Sequence, residues 1–254
     1  MISKTVIRNN FSKYAKSYDS YSCIQNICAK KLIAAINEDN FTSILDVGCG
    51  TGSFTELLYE KFPKANIKAI DLSDKMLDIA KSKMHNNGID FKTMDAESLN
   101  LNEKFDLISS NATFQWFEDL NEAILNYRYM LAEQGMIAFS IFGPDTFYEL
   151  SNCLKELSSK DVQISAANFI NKNKLYEIMK SFFEKTEIKE QIYKKHYSSL
   201  VDLLKTIKYT GTNGKGFDKA IWTRGKIKRL EDIYVEKYKG IVGTYQVFYC
   251  KARV

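Results

Sequence analysis

Asp46, Asp71, Asp95 and Asn111 each stand where an apolar run gives out, and Gly48-Cys49-Gly50-Thr51-Gly52 follows the first of them. A strand that turns sharply into a helix needs glycine, which tolerates φ > 0 and lets the backbone approach a ligand. The helix that follows points its unpaired N–H groups into the same crevice. Dinucleotide sites use G-x-G-x-x-G and rest a pyrophosphate on the helix start. Here the spacing is G-x-G-x-G, and Asp46 stands two residues before the first glycine. A carboxylate there repels a diphosphate and attracts an ammonium group. The ligand expected at this end is a cation.

S-adenosylmethionine meets that description, with its amino group against Asp46 and its backbone-like portion on Gly48, Gly50 and Gly52. Asp71, 25 residues after Asp46, can accept both hydroxyls of a ribose, or it can cap the helix beyond it. Asp95 suits the exocyclic amine of adenine, or is an ordinary turn carboxylate; Leu72 and Ala96 are expected beside these two acids. Asn111, Gln115 and Trp116 read as a pocket wall that positions substrate, with Asn111 also expected at the cofactor, whereas Phe114 and Phe117 fit wall and core equally. Tyr14 and Tyr18 either cover the cofactor from an N-terminal helix or only pack that helix down.

The elements that must hold these residues follow from periodicity. Residues 5–38 read as helical, with Phe11, Tyr14, Ala15 and Tyr18 on one face. Strands are expected at 43–47, 66–71, 89–94, 105–110 and 136–142, with helices near 53–62, 74–84 and 119–132. Such alternation implies a parallel sheet covered on both faces, with the crevice at the strands' carboxyl ends. After Gly143-Pro144 come helices near 146–157, 173–183, 199–208 and 226–239, a Gly-rich loop at 211–216, and strands at 184–197 and 245–250. The last two strands are expected to pair antiparallel at one edge, and the helices around residue 190 to cap the crevice.

A chain of 254 residues has ample core for one domain. No apolar run approaches the roughly 18 residues of a membrane span, and the first residues lack the apolar stretch of a signal peptide. Five cysteines without a C-x-x-C pair read as reduced cytoplasmic thiols. With only His85 and His196, neither a metal site nor a Ser-His-Asp triad is expected. The net charge of +5 is uneven: residues 194–229 hold eight lysines and two arginines against Asp202 and Asp218. That stretch would draw an acidic partner, or is a solvated lysine-rich face.

Several stretches together carry a resemblance: the glycine loop with its acids, Phe11-x-x-Tyr14-Ala15-x-x-Tyr18-Asp19 with Ile24-Gln25, Ser110-Asn111-Ala112 with Gln115-Trp116, Phe142-Gly143-Pro144-Asp145-Thr146-Phe147-x-Glu149-Leu150, Leu203 to Asn213, and Thr244 to Tyr249. The glycine loop resembles class I S-adenosylmethionine-dependent methyltransferases, and the whole set resembles the malonyl-acyl carrier protein O-methyltransferases of biotin synthesis. The resemblance implies a Rossmann-like fold: a mostly parallel seven-stranded sheet with an antiparallel edge, an N-terminal helical cap over 1–40, a cofactor-binding core over 41–143, a helical lid from 144–183 and 199–240, and C-terminal strands at 184–198 and 243–254. It implies methyl transfer from S-adenosylmethionine, without a metal, to the free carboxylate of a malonyl thioester. A carboxylic acid with pKa near 4 is already ionised at neutral pH, so no general base is needed. Lys205 and Lys208 are the expected partners of the substrate carboxylate, and the basic 194–229 region the expected docking face for the acyl carrier protein. No nucleic acid or membrane partner is expected. Left open are a methyltransferase for a free small acid or quinone, a silent S-adenosylmethionine-binding module, and a nicotinamide oxidoreductase, which Asp46 and G-x-G-x-G disfavour.

Overall fold

Ile44, Leu45 and Val47 are buried on both faces of one strand, which is the environment of a central parallel strand. The computed structural model describes residues 3–37, 40–85, 88–99, 101–157, 164–211 and 223–254. Its strands are β1 (Ser43–Val47), β2 (Asn66–Asp71), β3 (Asp90–Thr93), β4 (Phe105–Asn111), β5 (Leu131–Phe142), β6 (Lys185–Tyr197) and β7 (Ile241–Arg253). Its α-helices are α1 (Lys4–Tyr21), α2 (Cys23–Ala35), α3 (Ser53–Lys61), α4 (Asp74–Lys83), α5 (Leu120–Met130), α6 (Tyr148–Leu157), α7 (Lys172–Phe182), α8 (Leu200–Tyr209) and α9 (Arg224–Tyr238).

One seven-stranded sheet runs in the order β3-β2-β1-β4-β5-β7-β6. The first five strands are parallel, and β7 pairs antiparallel with both β5 and β6. The chain proceeds outward from β1 through β2 to β3, then returns to the other side of β1 with β4. That reversal leaves a crevice at the carboxyl ends of β1 and β4, where α/β sheets take their ligands. Glycines follow β1 there, and β4 ends on Asn111.

Burial explains the two C-terminal strands. Sandwiched between neighbours, β7 is buried from Ile241 to Cys250, as its apolar composition requires. At the open edge β6 alternates between half-buried and exposed residues and carries Lys185, Lys189, Lys194 and Lys195, charges that discourage edge-to-edge pairing.

On one face, α2, α3, α6, α8 and α9 bury Leu32, Leu58, Leu150, Leu203 and Leu230 in a continuous core. The other face is closed by α5 and α7, through Ile124, Tyr127, Leu175 and Met179. This corrects one expectation. The sequence pattern places α7 over the crevice, yet it packs beside α5, where Arg128 Nε donates to the Phe182 carbonyl at 3.2 Å. An amphipathic pattern says that a helix buries one side, not which surface receives it.

Two boundaries also differ. The expected single helix over 5–38 breaks at Ser22, whose N–H closes α1 on Tyr18. Strand β5 begins at Leu131 and not 136, because Leu131 pairs with Phe105 before a register shift. Gln134, at φ 63°, lies within this irregular stretch. Most of the Gly-rich loop at 211–216 lies outside the described residues, which end there at Gly211. Among the described residues no helix is long and apolar enough to cross a membrane.

Candidate functional site

The first loop sets the geometry. Gly48, Gly50 and Gly52 have φ of 69°, 56° and 83°, the left-handed region that favours glycine. Each serves a different purpose. A Cβ on Gly48 would lie 2.3 Å from the Thr113 side chain, so β1 and the loop after β4 touch backbone to side chain there. A Cβ on Gly52 would meet Ala80 at 3.0 Å, so this glycine lets α3 start against α4. A Cβ on Gly50 would meet nothing within 4 Å: it faces open space.

Asp46 is 1% exposed. Thr55 Oγ1 donates to its Oδ2 at 2.6 Å, while Oδ1 is buried without a hydrogen-bond partner among the described residues. Burial pushes its carboxyl up to about 7; the Thr55 bond opposes the rise and the nearby Asp71 charge adds to it. It sits in a recess lined also by Gly48, Gly50, Ser53, Gln25 and Asn111. An orphaned buried carboxylate oxygen is costly, and a cation in the recess would satisfy it.

Asp71 ends β2 with one oxygen on Gly50 N at 2.9 Å and the other on Ser73 N at 2.8 Å. Burial raises its carboxyl to about 6, against these backbone donors. The helix cap is Ser73, whose hydroxyl accepts from Met76 N, so Asp71 is free of that duty. It remains on the wall of the main cavity, an open volume of about 850 Å³.

Tyr18, Gly48, Gly50, Asp71, Leu72, Asp95, Ala96, Asn111, Gln115 and Trp116 all reach that wall, which unites most of the residues singled out in the sequence. Asn111 is fixed from two sides: its Nδ2 donates to the Gln25 carbonyl at 3.1 Å, and its Oδ1 accepts from Ser140 Oγ at 2.7 Å. Gln115 Nε2 donates to the Ala112 carbonyl at 2.6 Å. Ala112 itself is held at φ 56°, an unfavourable value for a residue with a Cβ. The ambiguity over the two phenylalanines resolves: Phe114 is core, packed on Tyr127 and Phe139, and Phe117 lines the cavity.

Asp95 has a partner that the sequence did not announce. Lys4 Nζ lies 2.8 Å from Asp95 Oδ2 and 3.0 Å from Glu97 Oε2. Burial works against the Asp95 charge, but Lys4 and the Glu97 N–H outweigh it and hold the carboxyl below its usual value.

Asp46 lies in the adjoining recess, and four further expected site residues line neither that recess nor the cavity. Tyr14 turns toward α8, its ring 5.1 Å edge-on from Tyr209. Gly52 packs helices, as above. Lys205 is exposed on α8, 3.9 Å from Asp202, and Lys208 is exposed over the Tyr14 and Tyr209 rings. In their place the wall includes Lys4, Ile7, Phe11, Gln25, Phe142 and Thr210. Phe11, Gln25, Phe142 and Thr210 belonged to the family-like stretches; nothing local in the sequence marked Lys4 or Ile7.

A family profile described as a methyltransferase domain matches residues 45–139, the span from the glycine loop to β5. The malonyl-[acyl-carrier protein] O-methyltransferase 2 of Ilyobacter polytropus is 37% identical over 240 residues, covering 94% of this chain and 92% of its own length. The protein of the same name from Acetivibrio thermocellus is 32% identical over 269 residues, covering 100% of this chain and 95% of its own.

The chain belongs to the malonyl-[acyl-carrier protein] O-methyltransferase family.

Solved structures agree on the fold. The YcgJ protein of Bacillus subtilis superposes with a TM-score of 0.63 at 14% identity, over 89% of this chain and 97% of that one. A Haemonchus contortus phosphoethanolamine N-methyltransferase 2 in complex with S-adenosyl-L-methionine gives 0.61 at 16% identity, over 99% of this chain and 60% of that one. The matched span includes the acid-glycine recess, which adjoins a larger wall of acids, amides and aromatics.

Proposed function

We propose that the protein transfers a methyl group from S-adenosylmethionine to the free carboxylate of a malonyl group carried on acyl carrier protein, giving the malonyl methyl ester that primes biotin synthesis. The single observation that carries this reading is the unpartnered, buried Asp46 Oδ1 beside the open face of Gly50. It is an acceptor for an ammonium group and an unsuitable neighbour for a phosphate. Bound S-adenosylmethionine supplies an electrophilic methyl on a cationic sulfur.

Asp46 receives the ammonium, Asp71 the ribose hydroxyls, and Leu72, Ala96 and Phe117 flank the adenine, with Asp95 at its amine. Phe11, Trp116 and Phe142 exclude water from the acceptor's end of the cavity, and Asn111 and Gln115 orient the acceptor. No base is assigned, because the acceptor carboxylate is already ionised at neutral pH. Rate enhancement then comes from alignment, which in oriented intramolecular reactions reaches roughly 7–11 kcal/mol, and from keeping water out.

The acidic carrier docks on the basic 194–229 stretch, of which 212–222 lie outside the described residues. This chemistry is placed in the cytoplasm, where the five cysteines stay free. Incubation with methyl-labelled cofactor and a panel of malonyl-carrier protein, malonyl-CoA, free malonate and a quinone, read by mass spectrometry, tests the assignment. Label on the carrier-bound malonyl group in preference to the others supports it. Label only on free malonate or a quinone overturns the carrier assignment, and no transfer at all leaves a binding module.

A further inference from the structure

We propose that the seam between α1 and α8 is the port through which the phosphopantetheine arm of the carrier reaches the cavity, with Lys208 and Lys13 meeting its phosphodiester. The proposal rests on the carrier-protein reading above and concerns how that substrate is received.

Lys208 and Lys13 converge on one ring. Lys208 Nζ lies 5.6 Å from the centroids of both Tyr14 and Tyr209, and Lys13 Nζ lies 5.4 Å from that of Tyr14. Both lysines are exposed. Among the described residues neither has a carboxylate within ion-pair distance, whereas Lys4 and Arg8 on α1 and Lys205 on α8 each have one. Two ammonium groups held at the same tyrosine ring, without a carboxylate partner among the described residues, form a site for an anion from outside.

Beneath them the rings are already ordered. Tyr209 stacks on Tyr21 at 4.5 Å and meets Tyr14 edge-on at 5.1 Å. Directly after Tyr209, Thr210 reaches the cavity wall, where Phe11 and Tyr18 of α1 also stand. Phe11, Tyr14 and Tyr18 follow one face of α1 at helical spacing, so a single face leads from the seam to the cavity. Gly211 completes the join: at φ 78°, its Cβ would fall 2.6 Å from the Phe11 ring. The seam therefore has cations outside, packed aromatic rings that must part for the arm in the middle, and the cavity within. A flexible arm with an anionic phosphodiester at one end and amides and methylenes beyond it has the matching order.

This also moves Lys208 from the role its sequence suggested. The methyl acceptor must lie inside the cavity beside the cofactor, and Lys208 is outside it. The anion within its reach is the one at the arm's protein end.

The test is the double variant Lys13→Glu, Lys208→Glu in the full chain, assayed with malonyl-carrier protein and with the malonyl thioester of N-acetylcysteamine, which has no phosphate. The expected result is a KM for malonyl-carrier protein raised about tenfold, with kcat held within about twofold and the phosphate-free thioester used within about twofold of the parent rate. The double glutamine variant should give a smaller rise in the same direction. The thermal shift induced by S-adenosylhomocysteine should match the parent, which separates the effect from misfolding. An unchanged KM for the carrier substrate, or an equal loss on the phosphate-free thioester, overturns the proposal while leaving the carrier reading intact. A parent enzyme that methylates no malonyl-carrier protein overturns both.

Discussion

Lys4, the first residue of α1, bridges Asp95 and Glu97, the two acids that follow β3, at 2.8 and 3.0 Å. With Arg8 on Asp74 and Lys83 on Asp19, it ties a helix over the cavity that buries Ala15 alone in the core. A helix held partly by half-exposed ion pairs opens more readily than one held by apolar packing alone. Lys4→Gln should therefore speed dissociation of S-adenosylhomocysteine about fivefold, a loss of about 1 kcal/mol. Stopped-flow fluorescence of Trp116, on the cavity wall, would follow it. Added salt should speed release from the parent and do so less in the variant.

The glycines of the loop should separate fold from binding. Gly48→Ala forces a Cβ into Thr113 at 2.3 Å, so it should lower unfolding free energy by about 3 kcal/mol or more. Gly50→Ala meets nothing within 4 Å and should cost only the roughly 1–2 kcal/mol of a left-handed alanine. Its Cβ, however, enters the space proposed for the cofactor. Denaturant titration and calorimetric titration of the two variants should rank them oppositely: Gly48→Ala worse in stability, Gly50→Ala worse in affinity per unit of stability lost.

Two buried carboxyls give a pH dependence with a definite sign. Burial raises Asp46 from 3.8 to about 7 and Asp71 from 3.8 to about 6. A group whose folded pKa is raised favours the fold fully below its unfolded value, and that contribution is lost as pH rises through the folded pKa. The ligand-free protein should thus lose stability between pH 4 and 7 from these two groups. Cofactor affinity should move the other way, rising across pH 6 to 7 as Asp46 ionises to meet the ammonium. Calorimetry at pH 6.5 in buffers of different ionisation enthalpy should detect proton release on binding, and proton uptake would contradict the assignment. Thr55→Val removes the bond that holds Asp46 down, and should shift the affinity profile to higher pH.

Glu149 is fully buried, and its two carboxylate oxygens accept from the N–H and the hydroxyl of Thr244. This pairing fastens the start of α6 to β7, alongside Phe147 N on the Thr244 carbonyl at 2.7 Å. Glu149→Gln turns an amide N–H₂ toward one of those donors. It should lower unfolding free energy by about 2 kcal/mol in denaturant titration, while Glu149→Ala, which leaves Thr244 N without an acceptor, should cost more.

The alternation of strand and helix and the crevice after β1 were legible because both follow from local properties: apolar periodicity and glycine at positive φ. The acids stood at strand ends, so their convergence followed once the sheet was parallel. What was illegible depends on partners far along the chain. Nothing near Lys4 signals Asp95, 91 residues away. Tyr14 and Tyr18 share a helix face in the sequence, yet only Tyr18 lines the cavity, since α8 comes down beside Tyr14. Lys205 and Lys208 looked suited to a buried anion, but the helix that buries Leu203 and Ile207 turns them outward. Helix α7 has the same kind of apolar stripe as a lid helix; only the space next to α5 decided where it went.

The most direct measurement is calorimetric titration of S-adenosylhomocysteine into Asp46→Asn at pH 8, beside the parent. If Asp46 holds the cofactor's ammonium, the variant should bind about a hundredfold more weakly and, having lost a buried charge, should unfold at the same temperature or higher without ligand. Equal affinity in the two proteins would contradict that pairing.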